Sequence, residues 1–148
     1  MKIRLYIWLI IIFGLSHCSN SRTNNSSPDS ILKIEMNLSA FGVESDDFPS
    51  IDVTIDFSKD TSNCRKSFYN PAHKDSTYCL TKNEMQGILK LLKIEDLEKL
   101  EKEYKVGMTD QPSSKTIIYT SKTKFVINDY GLKGEYPLQE LYKTVYKY

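Results

Sequence analysis

Between Ile31 and Phe57 hydrophobic and polar residues alternate in two runs. Leu32, Ile34, Met36 and Leu38 are separated by Lys33, Glu35 and Asn37; Ile51, Val53, Ile55 and Phe57 are separated by Asp52, Thr54 and Asp56. Successive strand side chains point to opposite faces, so a period of two predicts two half-buried strands. Ala40-Phe41-Gly42 and Ser45-Asp46-Asp47 interrupt the runs, and Ser58-Lys59-Asp60 reads as a turn. A third extended segment is expected between Ser67 and Leu80, broken near Asn70-Pro71.

The period then changes. Thr81 with Glu84 forms a capping-box pattern, and Met85, Ile88, Leu89 and Leu92 recur at helical spacing. After a break around Lys93-Ile94, the apolar set Leu97, Leu100 and Tyr104 predicts a second short helix with a solvated charged side. The β-branched runs Thr116–Tyr119 and Thr123–Ile127, joined by Ser121-Lys122, predict a hairpin. Gly131 and Gly134 mark a loop, and Pro137 is placed to open a last helix with Leu138, Leu141, Tyr142 and Val145 inward. This order predicts one α+β domain over 31–148, an antiparallel sheet of about four to five strands with helices packed on one face.

The N-terminal pattern is of another kind. Lys2 and Arg4 precede an uncharged apolar run of 11 residues, Leu5 to Leu15. As a helix it would rise about 16 Å, roughly half of a ~30 Å hydrocarbon core, which suits a signal peptide better than a membrane span. Leu15-Ser16-His17-Cys18 resembles a bacterial lipobox, in which the Cys takes a diacylglycerol and cleavage falls just before it. His17 departs from that pattern, where Gly, Ala or Ser is usual. Ordinary secretory cleavage nearby, with Cys18 a free thiol or removed, is the alternative. The expected division is a signal peptide at 1–17, then Cys18 and a polar Ser- and Asn-rich tether to residue 30. Such a tether has a root-mean-square reach of about 20 Å. Two or three acyl chains would hold the protein to a membrane, and Ser19 after Cys18 favours the outer membrane of a diderm bacterium.

Charge sharpens this division. The full chain has 20 Lys+Arg and 19 Asp+Glu, and removing Lys2 and Arg4 with the signal leaves 18 against 19. A domain without basic excess excludes a nucleic-acid binder. With Cys18 acylated, Cys64 and Cys79 remain. In an oxidising envelope they are expected to bridge, closing a loop of about 15 residues for roughly 3 kcal/mol; two free thiols are the alternative.

Catalytic motifs are missing from the chain: it has no Gly-x-Ser-x-Gly elbow, His-Glu-x-x-His helix, phosphate loop or Cys-x-x-Cys pair. The spacing of Cys64, His73 and Cys79 fits no zinc template. Asp52 and Asp56 share a strand face about 13 Å apart, too far for a retaining carboxylate pair. No EF-hand pattern surrounds Asp46-Asp47. No catalytic residue, metal or cofactor is therefore assigned. Tyrosine is the unusual residue, with 10 in all, and Tyr136, Tyr146 and Tyr148 near the C-terminus are the candidate interaction surface.

Ala40-Phe41-Gly42, Pro49, the strand Ile51–Phe57, Leu97-Glu98-Lys99-Leu100 to Tyr104, Thr109-Asp110-Gln111-Pro112 and Asp129-Tyr130-Gly131 together resemble a family of small envelope lipoproteins carrying a domain of unknown function. The likeness covers about residues 34–148. That family's two cysteines are absent from the Phe41–Pro49 region, so no role tied to them transfers. The resemblance implies location and fold, and no reaction. The expected function is a lipid-anchored, non-catalytic module that binds an envelope protein or other macromolecule. The alternatives are an envelope enzyme or ligand binder with a site around Asp52, Asp56 and His73, or an inhibitor presenting its Tyr-rich end to an envelope hydrolase.

Overall fold

The two alternating runs pair with each other at the centre of a sheet. The computed structural model describes residues 27–40, 43 and 46–147. In it β1 (Ile31–Ser39) runs antiparallel to β2 (Ser50–Asp56), with Ile34, Met36 and Leu38 facing Ile55, Val53 and Ile51. All six are buried, each contributing about 1.5–3 kcal/mol of transfer free energy. The turn after β2 leads into β3 (Thr61–Ser67), which carries Cys64 inward opposite Val53. Asp60 takes a left-handed φ of 53° there, a conformation Asp tolerates better than most residues. The edge strand β4 (Ser76–Tyr78) pairs with β3.

Helix α1 (Lys82–Leu91) starts where the capping box places it. Thr81 Oγ1 accepts from the Glu84 N–H at 3.2 Å, and the Glu84 carboxylate accepts from the Thr81 N–H at 2.7 Å. A single turn, α2 (Ile94–Leu97), follows, then β5 (Glu103–Lys105), β6 (Ser113–Thr120), β7 (Lys124–Tyr130) and α3 (Leu138–Tyr146). β6 and β7 form the expected hairpin, and β6 also pairs with β1. Met85 and Ile88 of α1 share one core with Leu138, Leu141, Tyr142, Val145 and Tyr146 of α3 and with the inward strand residues.

The sheet differs from the sequence expectation. It has seven strands, in the order β4-β3-β2-β1-β6-β7-β5, and it is mixed because β5 runs parallel to β7. Among the described residues three short helices accompany it, of 10, 4 and 9 residues. The physical reason lies in long-range pairing. β4 and β5 are three-residue edge strands with no alternation of their own, formed only because β3 and β7 offer them hydrogen-bonding partners. Tyr104, assigned from spacing to a second helix, lies in β5 opposite Asp129. Short edges of this kind also limit sheet-to-sheet association.

Candidate functional site

Two of the segments that carry the family likeness, 109–112 and 129–131, meet at one end of the sheet. Gly131 N–H donates to the Pro112 carbonyl at 2.8 Å, Gln111 N–H to the Tyr130 hydroxyl at 3.3 Å, and Val106 N–H to the Tyr130 carbonyl at 3.2 Å. Gly131 has φ +91°, and a Cβ there would lie 2.5 Å from Val106 Cγ2, so glycine is required on both counts. The side chain of Asp129 is only 1% exposed and accepts from the N–H groups of Lys133 (2.8 Å) and Gly134 (2.7 Å). These residues hold the 106–112 and 131–137 connections against β7. Their polar groups are occupied by the backbone of the fold.

Asp129 belongs to a buried polar cluster beneath α3. Ser114 and Thr116 on β6 are 2% and 0% exposed, and Ser114 Oγ lies 2.5 Å from the Tyr146 hydroxyl. The Tyr142 ring stacks on that of Tyr146 at 5.6 Å. The Tyr142 hydroxyl is buried and forms no hydrogen bond of good geometry, with Ser114, Thr116 and Asp129 as its polar neighbours. Burial, and then the charge of Asp129, push the Tyr142 phenol well above its usual range, so it stays neutral at physiological pH. A cleft of about 280 Å³ borders α3, lined by Leu132, Gln139, Tyr142, Lys143 and Lys147. Its two cations are already paired, Lys143 with Glu140 at 2.7 Å and Lys147 with Glu84 at 2.6 Å, so it is no ready anion site.

The opposite face of the sheet is polar. Lys33, Glu35, Asn37, Asp52, Thr54, Lys115, Ile117 and Tyr119 alternate with the core residues of β1, β2 and β6. Tyr119 donates to Glu35 at 2.8 Å, and Asn37 Nδ2 donates to Asp52 at 2.6 Å. Cations and carboxylates are interspersed there, which suits a hydrated surface more than capture of one charged ligand.

The family model for a domain of unknown function, DUF6438, matches residues 42–148. The chain belongs to the DUF6438 family. A search of the curated proteins and one of the solved structures give no match. The DUF6438 segment takes in β2 to α3, including the linked 106–112 and 131–137 connections.

Within the DUF6438 domain the residues singled out from sequence are dispersed. Cys64 and Cys79 are free thiols and do not form the expected bridge. Cys64 faces Tyr78 across the β3–β4 pair, so alternation sends the next residue, Cys79, to the other side. Cys64 is buried and Cys79 exposed, and burial raises the Cys64 thiol to about 11. Tyr136 is exposed, but Tyr146 is fully buried and offers no surface to a partner. The helical spacing contained that signal, since Tyr146 lies four residues beyond Tyr142 on the inward face. Residues 1–17, Cys18, most of the tether and Tyr148 lie outside the described residues.

Asp52, Asp56 and His73 do not converge. Asp52 bonds Asn37 on the polar face, and Asp56 bonds Ser58 and Lys59 in the β2–β3 turn. His73 pairs with Asp47 at 2.9 Å and packs on Phe68, at the other end of the sheet. Asn70 and His73 together hold the Asp47 carboxylate below its ordinary range. Among the described residues no group of three or more His, Cys, Asp or Glu is placed to hold a metal ion. Ser114, Thr116 and Asp129 had no sequence signal, because their burial depends on distant α3, whose Tyr146 bonds Ser114 on β6.

Proposed function

We propose that the chain is a lipoprotein of the cell envelope, acylated at Cys18, whose DUF6438 domain is a non-catalytic binding module held at the outer membrane. The reading is carried by one observation: the polar groups where the 106–112 and 131–137 connections meet β7 are spent on holding the fold. Asp129, Tyr130 and Pro112 bond backbone groups of neighbouring loops, while Asp52, Asp56 and His73 stand apart. The short apolar run, Leu15-Ser16-His17-Cys18 and the polar segment behind them support the anchor. Among the described residues no helix is long and apolar enough to cross a membrane.

Two measurements test this reading. A Cys18→Ser chain is expected to leave the membrane fraction, and retention there equal to the parent's contradicts the anchor. The same variant, purified and fluorescently labelled, is expected to bind isolated envelopes saturably, competed by unlabelled protein. Binding that is linear and not competed contradicts the binding module.

A further inference from the structure

The start of the described chain is fastened to one end of the sheet. Asp29 accepts from Ser121 Oγ at 2.7 Å and from Thr120 Oγ1 at 2.9 Å. The Ser121 N–H donates to the Ser30 carbonyl at 2.9 Å, and the Ser30 N–H donates to Ser121 Oγ at 3.3 Å. These bonds clip the chain just ahead of β1 to the β6–β7 turn. They act with the β1 register, in which Ile31 faces Thr120. Lys33 faces Asp56, so the β2–β3 turn lies at the same end.

The opposite end carries different chemistry. There Ser39 faces Ser113, Ser50 faces Ser67, and Lys105 faces Tyr130. Three connections leave from these strand ends, and each carries an uncovered large hydrophobic residue: Tyr69 at 87% exposure, Met108 at 61% and Tyr136 at 60%. Among the described residues the other two exposed large hydrophobics, Leu32 and Leu89, are near 40%, so the most exposed of these apolar groups belong to the end away from the clip. The clipped end instead presents Lys59, Lys82, Lys122 and Lys124, with Lys59 and Lys82 paired to Asp56 and Asp60.

We infer that the Asp29–Thr120–Ser121 clip and the β1 register make the β6–β7 turn the lipid-facing end of the domain and direct the Tyr69, Met108 and Tyr136 connections away from the bilayer. The inference rests on the anchor at Cys18 proposed above. Asp29 is eleven residues beyond Cys18, so the two lie no more than about 40 Å apart even at full extension. β1 has nine residues, which sets the far end of the sheet about 30 Å further on. A domain held by one end beside an impenetrable surface keeps that end nearer to it.

Energy transfer to the membrane surface tests this. The full chain is produced with its signal, extracted from membranes and reconstituted into phosphatidylethanolamine–phosphatidylglycerol vesicles carrying a headgroup acceptor dye. In a Cys79→Ser background, one donor dye is placed at Lys122→Cys or at Tyr69→Cys, both exposed positions. Intact mass on the same samples reports acylation. The expected result is acylated protein with stronger transfer from position 122, its donor nearer the surface by up to about 30 Å. Acylated protein with equal transfer from both positions, or more from position 69, overturns the orientation and leaves the anchor standing. Protein without acyl mass overturns the anchor, and the orientation with it.

Discussion

Two tyrosines one turn apart on α3 are expected to respond unequally to the same chemical change. Tyr142 and Tyr146 are 3% and 0% exposed and stack on each other, so each ring is equally a part of the core. Their hydroxyls differ. Tyr146 shares a 2.5 Å hydrogen bond with Ser114, which also lies 3.5 Å from Thr116 Oγ1. Tyr146→Phe therefore removes the short bond and leaves the buried Ser114 hydroxyl only longer contacts, at a cost of about 1–3 kcal/mol. The Tyr142 hydroxyl forms no hydrogen bond of good geometry and has only looser contact with Ser114, Thr116 and Asp129, so Tyr142→Phe is expected to stay within about 1 kcal/mol of the parent. With a urea slope of ~1–3 kcal/mol per molar, the two midpoints should separate by roughly 1 M, with the parent nearer to Tyr142→Phe. Trp8 is the only tryptophan and precedes the domain, so far-UV circular dichroism is the suitable signal. Equal destabilisation by both variants, at unchanged slope, would refute the assignment of the two hydroxyls.

Other outcomes follow from the same geometry. Asp129→Ala leaves the Lys133 and Gly134 N–H groups without their acceptor and should cost about 3 kcal/mol by urea unfolding; a loss under 1 kcal/mol would show that the loop does not depend on it. Lys147 and the Thr81 N–H hold the Glu84 carboxyl at about 2 in the fold, against an ordinary 4.5. A lowered folded value means stability fully present above pH 4.5 and lost as pH falls toward 2. Glu84→Gln should flatten that limb of a stability–pH curve, and an unchanged limb would contradict the pairing. In a Cys18→Ser chain, Cys79 should react with a thiol reagent at neutral pH while Cys64, buried and raised to about 11, reacts only on unfolding. Two thiols reacting at one rate would contradict that placement.

The parts of the fold legible in sequence are those set by local chemistry. β1 and β2 announce themselves because each buries one full face, and α1 because Thr81 and Glu84 satisfy its first amides from within four residues. β3 was obscured because its inward set near the sheet edge mixes Cys64 with polar residues. β5 was misread because Leu97, Leu100 and Tyr104 keep helical spacing while the backbone at Tyr104 is claimed by β7. The candidate site divides in the same way. Tyr146 was assigned to the surface although its position relative to Tyr142 puts it inside, and the Cys64–Cys79 bridge failed on strand alternation. The polar cluster of Ser114, Thr116 and Asp129 is built from residues of two strands beneath a third element, a juxtaposition no local pattern carries.

The anchor at Cys18 bears most directly on the whole account, and intact mass spectrometry of the protein extracted from membranes measures it. The account predicts a chain that begins at Cys18 and carries the added mass of a diacylglycerol, with or without a further acyl group on the new amine. A chain with an unmodified Cys18, or one cleaved beyond it, would contradict the lipoprotein reading and every orientation drawn from it.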